Sequence, residues 1–100
     1  MAAFCMLACN NTDDVKEKVE SYAVVEVKSP LYDALSENDK KIVGLFRQAG
    51  EIMDELFWKQ TFGDKSEMEA LTNEYEKAYA MINYGPWDQL DNNVPFVEGY

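Results

Sequence analysis

Histidine does not occur in this chain of 100 residues. That removes the commonest general base and the commonest metal ligand, and with them any zinc helix of the His-Glu-x-x-His kind. Cysteine occurs twice, at Cys5 and Cys9, so there is neither a disulfide framework nor a paired metal-ligand spacing. Basic residues are also scarce: 9 Lys and Arg stand against 19 Asp and Glu, for a net charge of −10. The only adjacent basic pair is Lys40-Lys41. Nucleic acid and anionic membrane surfaces both require clustered cations, so neither is an expected partner. No glycine-rich phosphate loop is present, and an independent small enzyme is nearly excluded on these grounds.

What is present is a globular composition, with 47% apolar and 13% aromatic residues. The first nine residues are apolar and small, and end at Leu7-Ala8-Cys9 just before the polar run Asn10-Asn11-Thr12-Asp13-Asp14. This start resembles the end of a lipoprotein signal, with Cys9 as the residue to be lipidated. It departs from that pattern in having no Lys or Arg before Cys9 and a short apolar run. The other reading is an ordinary frayed apolar terminus. A genuine signal implies a lipid-anchored protein of the cell envelope, touching membrane only through that anchor.

Residues 10–21 read as a polar, charged tether with room for a helical turn. Residues 22–28 are β-branched, alternate Val25 and Val27 with Glu26 and Lys28, and stop at Ser29-Pro30; this predicts a strand. A lone strand needs partners. Ser36 is a good N-cap with Asp39 in the first turn. Ile42, Leu45, Phe46, Ala49, Ile52, Met53, Leu56 and Phe57 then follow at steps of three and four, which predicts a helix over 36–61 ending at Gly63. Ser66 and Glu69 form a capping-box pattern opening a second helix over 66–83, with Met68, Leu71, Tyr75, Ala78, Tyr79 and Ile82 on its apolar face. The short link predicts an antiparallel pair. The fold class is therefore mainly α: one short N-terminal strand, two amphipathic helices and a Trp-bearing loop over 84–100. The orphan strand and the large Trp87 behind Gly85-Pro86 both suggest an incomplete part of a larger two-lobed α+β protein.

Several groups could carry chemistry. Glu51, Asp54 and Glu55, and in part Glu67, Glu74 and Glu76, share helix faces, but carboxylates in such places are usually solvated. Met53, Met68 and Met81 with Phe46, Phe57 and Trp58 could form an adaptable groove, or simply core. Asp88 and Asp91-Asn92-Asn93 offer oxygen ligands without the spacing of a calcium loop. Trp87 with Tyr84 could edge a pocket or anchor a loop. No catalytic, cofactor-binding or metal-binding residue is expected in the chain.

Residues 22–28, the run Leu35-Ser36-x-x-Asp39-Lys40-Lys41-Ile42-Val43, the stretch Ala49-Gly50-Glu51-Ile52, and above all Tyr84-Gly85-Pro86-Trp87-Asp88-x-Leu90-Asp91 together resemble the N-terminal region of dipeptidyl peptidase III-like zinc peptidases, in the exported lipoprotein form of Bacteroidetes. That resemblance implies a scaffold fragment of a two-lobed metallopeptidase that removes dipeptides from peptides. Zinc and its ligands would then lie in a longer parent, with the remainder of the same polypeptide and peptide substrates as partners. The alternative is a small exported lipoprotein that binds a partner through its helical hairpin.

Overall fold

The structure, a computed structural model, describes residues 13–100; Cys9 and the rest of the apolar start lie outside the described residues. The architecture is mainly α with one short antiparallel strand pair. Residues 13–20 form helix α1. α2 is Pro30–Asp33, α3 Glu37–Thr61, α4 Lys65–Glu69 and α5 Glu74–Asn83, followed by β1 at Trp87–Asp88 and β2 at Val94–Pro95. No helix among the described residues is long and apolar enough to cross a membrane.

α3, α4 and α5 each begin where a side chain satisfies a free amide. Ser36 Oγ accepts from the Asp39 N–H at 3.1 Å and opens α3. Asp64 rather than Ser66 caps α4: its Oδ1 accepts from the Ser66 N–H at 2.9 Å and from the Ser66 hydroxyl at 2.6 Å. The single helix expected over 66–83 is two helices, because Asn73 offers a competing cap. Its Oδ1 accepts from the N–H groups of Tyr75 and Glu76, restarting the helix after a break at Ala70.

α5 ends at Tyr84, which adopts the left-handed conformation at φ 56°, and the Gly85 N–H then bonds the Ala80 carbonyl at 3.1 Å. Gly85 itself has φ 153°, and a Cβ there would stand 3.4 Å from Phe62 Cβ. Glycine is thus needed for the backbone conformation, while a Cβ would meet only ordinary contact. The chain returns through β1, a turn carrying Asn92 and Asn93 at positive φ, and β2, with Trp87 facing Pro95 and Asp88 facing Val94.

The core lies at one end of the molecule. Val15, Trp58, Met68, Tyr79, Ala80, Phe96 and Val97 are buried together, with Val19, Phe62, Leu71, Met81 and Tyr84 packed around them. Residues 10–21 are accordingly not all tether. Val15 and Val19, one helical turn apart, bring α1 into this core. Fully burying side chains such as Met68 and Phe96 stabilises the fold by roughly 1.5–3 kcal/mol each.

α3 reaches this core only through its last turns, where Trp58 is 3% exposed and Phe57 and Tyr84 meet edge to face at 4.7 Å. A helix of this length spans about 37 Å, so most of it projects. The radius of gyration is 18.2 Å, against about 13 Å for a compact chain of this size.

Two further expectations change. The apolar stripe from Ile42 to Phe57 does not face the core: Leu45, Phe46, Ile52 and Met53 are all more than 60% exposed. At 3.6 residues per turn, Trp58 lies roughly 140–160° around the helix from Met53 and Ile42, so the lobe grips the opposite side. Residues 22–28, expected as a strand, have no β partner among the described residues, and the strand pair lies instead in the Trp87 loop.

Candidate functional site: the Asp88 clamp and the Trp87 cleft

Asp88 is the most completely engaged polar side chain in the lobe, and 3% exposed. β1 places it opposite α5 and α1. Its Oδ2 accepts from Lys18 Nζ at 2.7 Å and from the Tyr79 hydroxyl at 2.9 Å, and its Oδ1 accepts from the Leu90 N–H at 3.0 Å. Its carbonyl takes the Asn93 N–H at 2.8 Å and fixes the turn. Lys18 is also 3.1 Å from Asp14.

Burial alone would push the Asp88 carboxyl up. The hydrogen bonds from Lys18, Tyr79 and the Leu90 amide outweigh it and hold the group below the usual carboxylate range. The Lys18 ammonium is raised, chiefly by its bond to Asp88. The Tyr79 hydroxyl is raised by burial and by that same carboxylate. An ionised carboxylate held by three donors has little basicity to offer, so the arrangement clamps α1, α5 and the hairpin together rather than moving protons.

Beside it runs a cleft of about 270 Å³ lined by Lys18, Ser21, Tyr22, Tyr79, Asp88, Leu90 and Asp91. A second, of about 470 Å³, is lined by Thr61, Asn83, Trp87, Gln89 and Asn93. In the latter, Asn83 is already committed: it donates to the Tyr79 carbonyl and accepts from the Gln89 N–H, and Gln89 returns a bond to the Asn83 carbonyl.

Trp87 does not wait for a surface from elsewhere. Phe62 and Tyr100 pack against its ring at 5.8 and 6.2 Å. Trp87 lines the cleft but Tyr84 does not; Tyr84 meets Phe57 edge to face, packs at a tilt on Trp58 and donates its hydroxyl to Asp54.

The carboxylates singled out in the sequence are scattered. Asp54 receives the Tyr84 hydroxyl, which is raised chiefly by that bond. Glu51, Glu55 and Glu74 are exposed. Glu67 accepts from the Tyr100 hydroxyl at 3.1 Å. Glu76 is raised by partial burial and by Glu98 nearby. Among the described residues no three His, Cys, Asp or Glu side chains are grouped to hold a metal ion. The methionines and aromatics are not one groove: Met68 and Trp58 are core, Met81 is half-buried at its margin, and Met53 and Phe46 are exposed on the far side of α3. Lys18 and Val15 were missed in the sequence because the polar run before them suggested solvent. Their i, i+3 spacing beside Val19 was the available signal.

No protein-family model matches the chain, and no solved structure matches it. A curated protein is similar: Nudix hydrolase 3 of Arabidopsis thaliana, 28% identical over 92 residues, a match covering 83% of this chain and 12% of that protein. The chain thus spans a small fraction of the length of the relative it matches. The expected kinship with dipeptidyl peptidase III-like zinc metallopeptidases is corrected by this finding, since the similarity found is to a protein named as a Nudix hydrolase. The zinc expected in a longer parent rested on that kinship alone. The alternative of a small lipoprotein binding a partner through its helical hairpin also lacks support, for α3 meets the lobe at its last turns rather than lying along α5. What the comparison offers is similarity to a segment of a much longer hydrolase.

Proposed function

We propose that residues 13–100 are a non-catalytic helical segment of a hydrolase related to Nudix hydrolase 3, with the exposed stripe of α3 covered by other parts of the same polypeptide. The observation that carries this reading is that stripe. Ile42, Leu45, Phe46, Ile52, Met53 and Leu56 form a continuous apolar surface turned away from the only core the described residues build. Contiguous exposed apolar surface of this kind marks an interaction site. The similarity supports the choice of cover, because the matched part makes up 12% of the relative. The engaged state of Asp88 supports a structural role for the segment.

The test is to raise antibodies against residues 13–100 and size the native polypeptide. A product well above the 11.5 kDa of this chain is expected. The purified long form should leave a hydrophobic dye dark that the 100-residue chain lights up. A native product no larger than this chain overturns the reading.

A further inference from the structure

We infer that residues 22–28 are a donor strand that adds to the edge of a β-sheet elsewhere in the same polypeptide; this rests on the reading above that the segment belongs to a larger hydrolase. The backbone carries the argument. No N–H or C=O of residues 23–28 has a backbone partner among the described residues, although Ala23-Val24-Val25-Glu26-Val27 is the most strand-prone run in the chain.

Side chains there are bare: Val24, Val25 and Val27 are 104%, 76% and 87% exposed. In an extended chain Ala23, Val25 and Val27 would fall on one face and Val24, Glu26 and Lys28 on the other. Lys28 Nζ stands 3.8 Å from Glu26 Oε1, and Ser29, which follows the segment, is extended at φ −135°, ψ 120°.

On one side Val15 is buried and Lys18 bonds Asp88; on the other the chain runs through α2, which buries none of its residues, into α3, which joins the core at Trp58. A segment so held loses less conformational entropy on pairing than a free tail does.

The occupant follows from the unmet groups. A purely apolar cover would leave the peptide N–H and C=O groups unpaired, so the partner must present its own backbone, as a sheet edge does. A second copy of the same segment would give a two-stranded ribbon with the Val25 and Val27 face still in water, and such ribbons are marginal. The fitting partner is a sheet already backed by a core, with Ala23, Val25 and Val27 turned inward and Glu26 and Lys28 outward.

Hydrogen exchange on the native polypeptide, compared with the 100-residue chain, tests this. Amides within 22–28 are expected to exchange at least about tenfold more slowly in the native form. Val25→Asp with Val27→Asp should restore fast exchange there, whereas Glu26→Gln with Lys28→Gln should not. The near-ultraviolet dichroism of the aromatic core reports that the lobe itself still folds. A long native polypeptide whose 22–28 amides exchange as fast as in the short chain overturns the donor strand and leaves the proposed function standing. A native product of only 100 residues overturns both.

Discussion

Lys18 and Asp88 lie 70 residues apart in sequence and 2.7 Å apart in space, and Asp88 is the buried partner. This pair joins the first described helix to the closing hairpin. Removing Asp88 leaves the buried Tyr79 hydroxyl and the Leu90 N–H without their acceptor, while Lys18 keeps Asp14. Asp88→Ala should therefore cost about 2–4 kcal/mol, the lower end reflecting the partial exposure of Lys18. Urea denaturation of the 100-residue chain measures it; a loss below about 0.5 kcal/mol would show that the clamp is not stabilising.

The same pair sets a pH dependence. The Asp88 carboxyl is held low in the folded state, so its contribution is present above the unfolded carboxylate value near ~4 and is lost as pH falls through the folded value. The Lys18 ammonium is held high, so its contribution is complete below the unfolded value near ~10.4 and fades as pH rises above it. Stability attributable to the pair should form a plateau between these limits. Asp88→Asn should flatten the acid limb when its denaturation profile is subtracted from that of the parent.

The two sides of α3 should respond in opposite ways. Trp58→Ala removes a side chain 3% exposed and should cost about 3–5 kcal/mol. Phe46→Ser, at 74% exposure, should change the stability of the 100-residue chain by less than about 0.5 kcal/mol while reducing dye binding. Equal losses at the two positions would mean that the stripe is buried after all.

Gly85→Ala should destabilise by about 1 kcal/mol, because φ 153° is strained for an L side chain. Asn73→Ala should cost about 1 kcal/mol and lower helical dichroism by fraying the start of α5.

Much of the helix content was legible because it depends on near neighbours. The Ser36 cap, the spacing of apolar residues through α3 and the stop at Gly63 all act within a turn or two. Asn73 could have been read the same way, since an Asn two residues before Tyr75 competes locally with a continuing helix. Asp88 as a clamp was not legible. Its partners Lys18 and Tyr79 come from two other helices, and no local pattern distinguishes that aspartate from the exposed Asp91.

The sequence by itself determined that the chain is mainly helical, that it holds no histidine chemistry, and which residues of α3 form an apolar stripe. Those properties follow from residue type and from spacings of a few positions. Only the tertiary structure decided which side of α3 is gripped, that Phe62 and Tyr100 receive Trp87, and that residues 23–28 find no backbone partner among the described residues. Helical periodicity marks a face as apolar but is silent on what covers it, and burial is set by contacts between segments far apart in the chain.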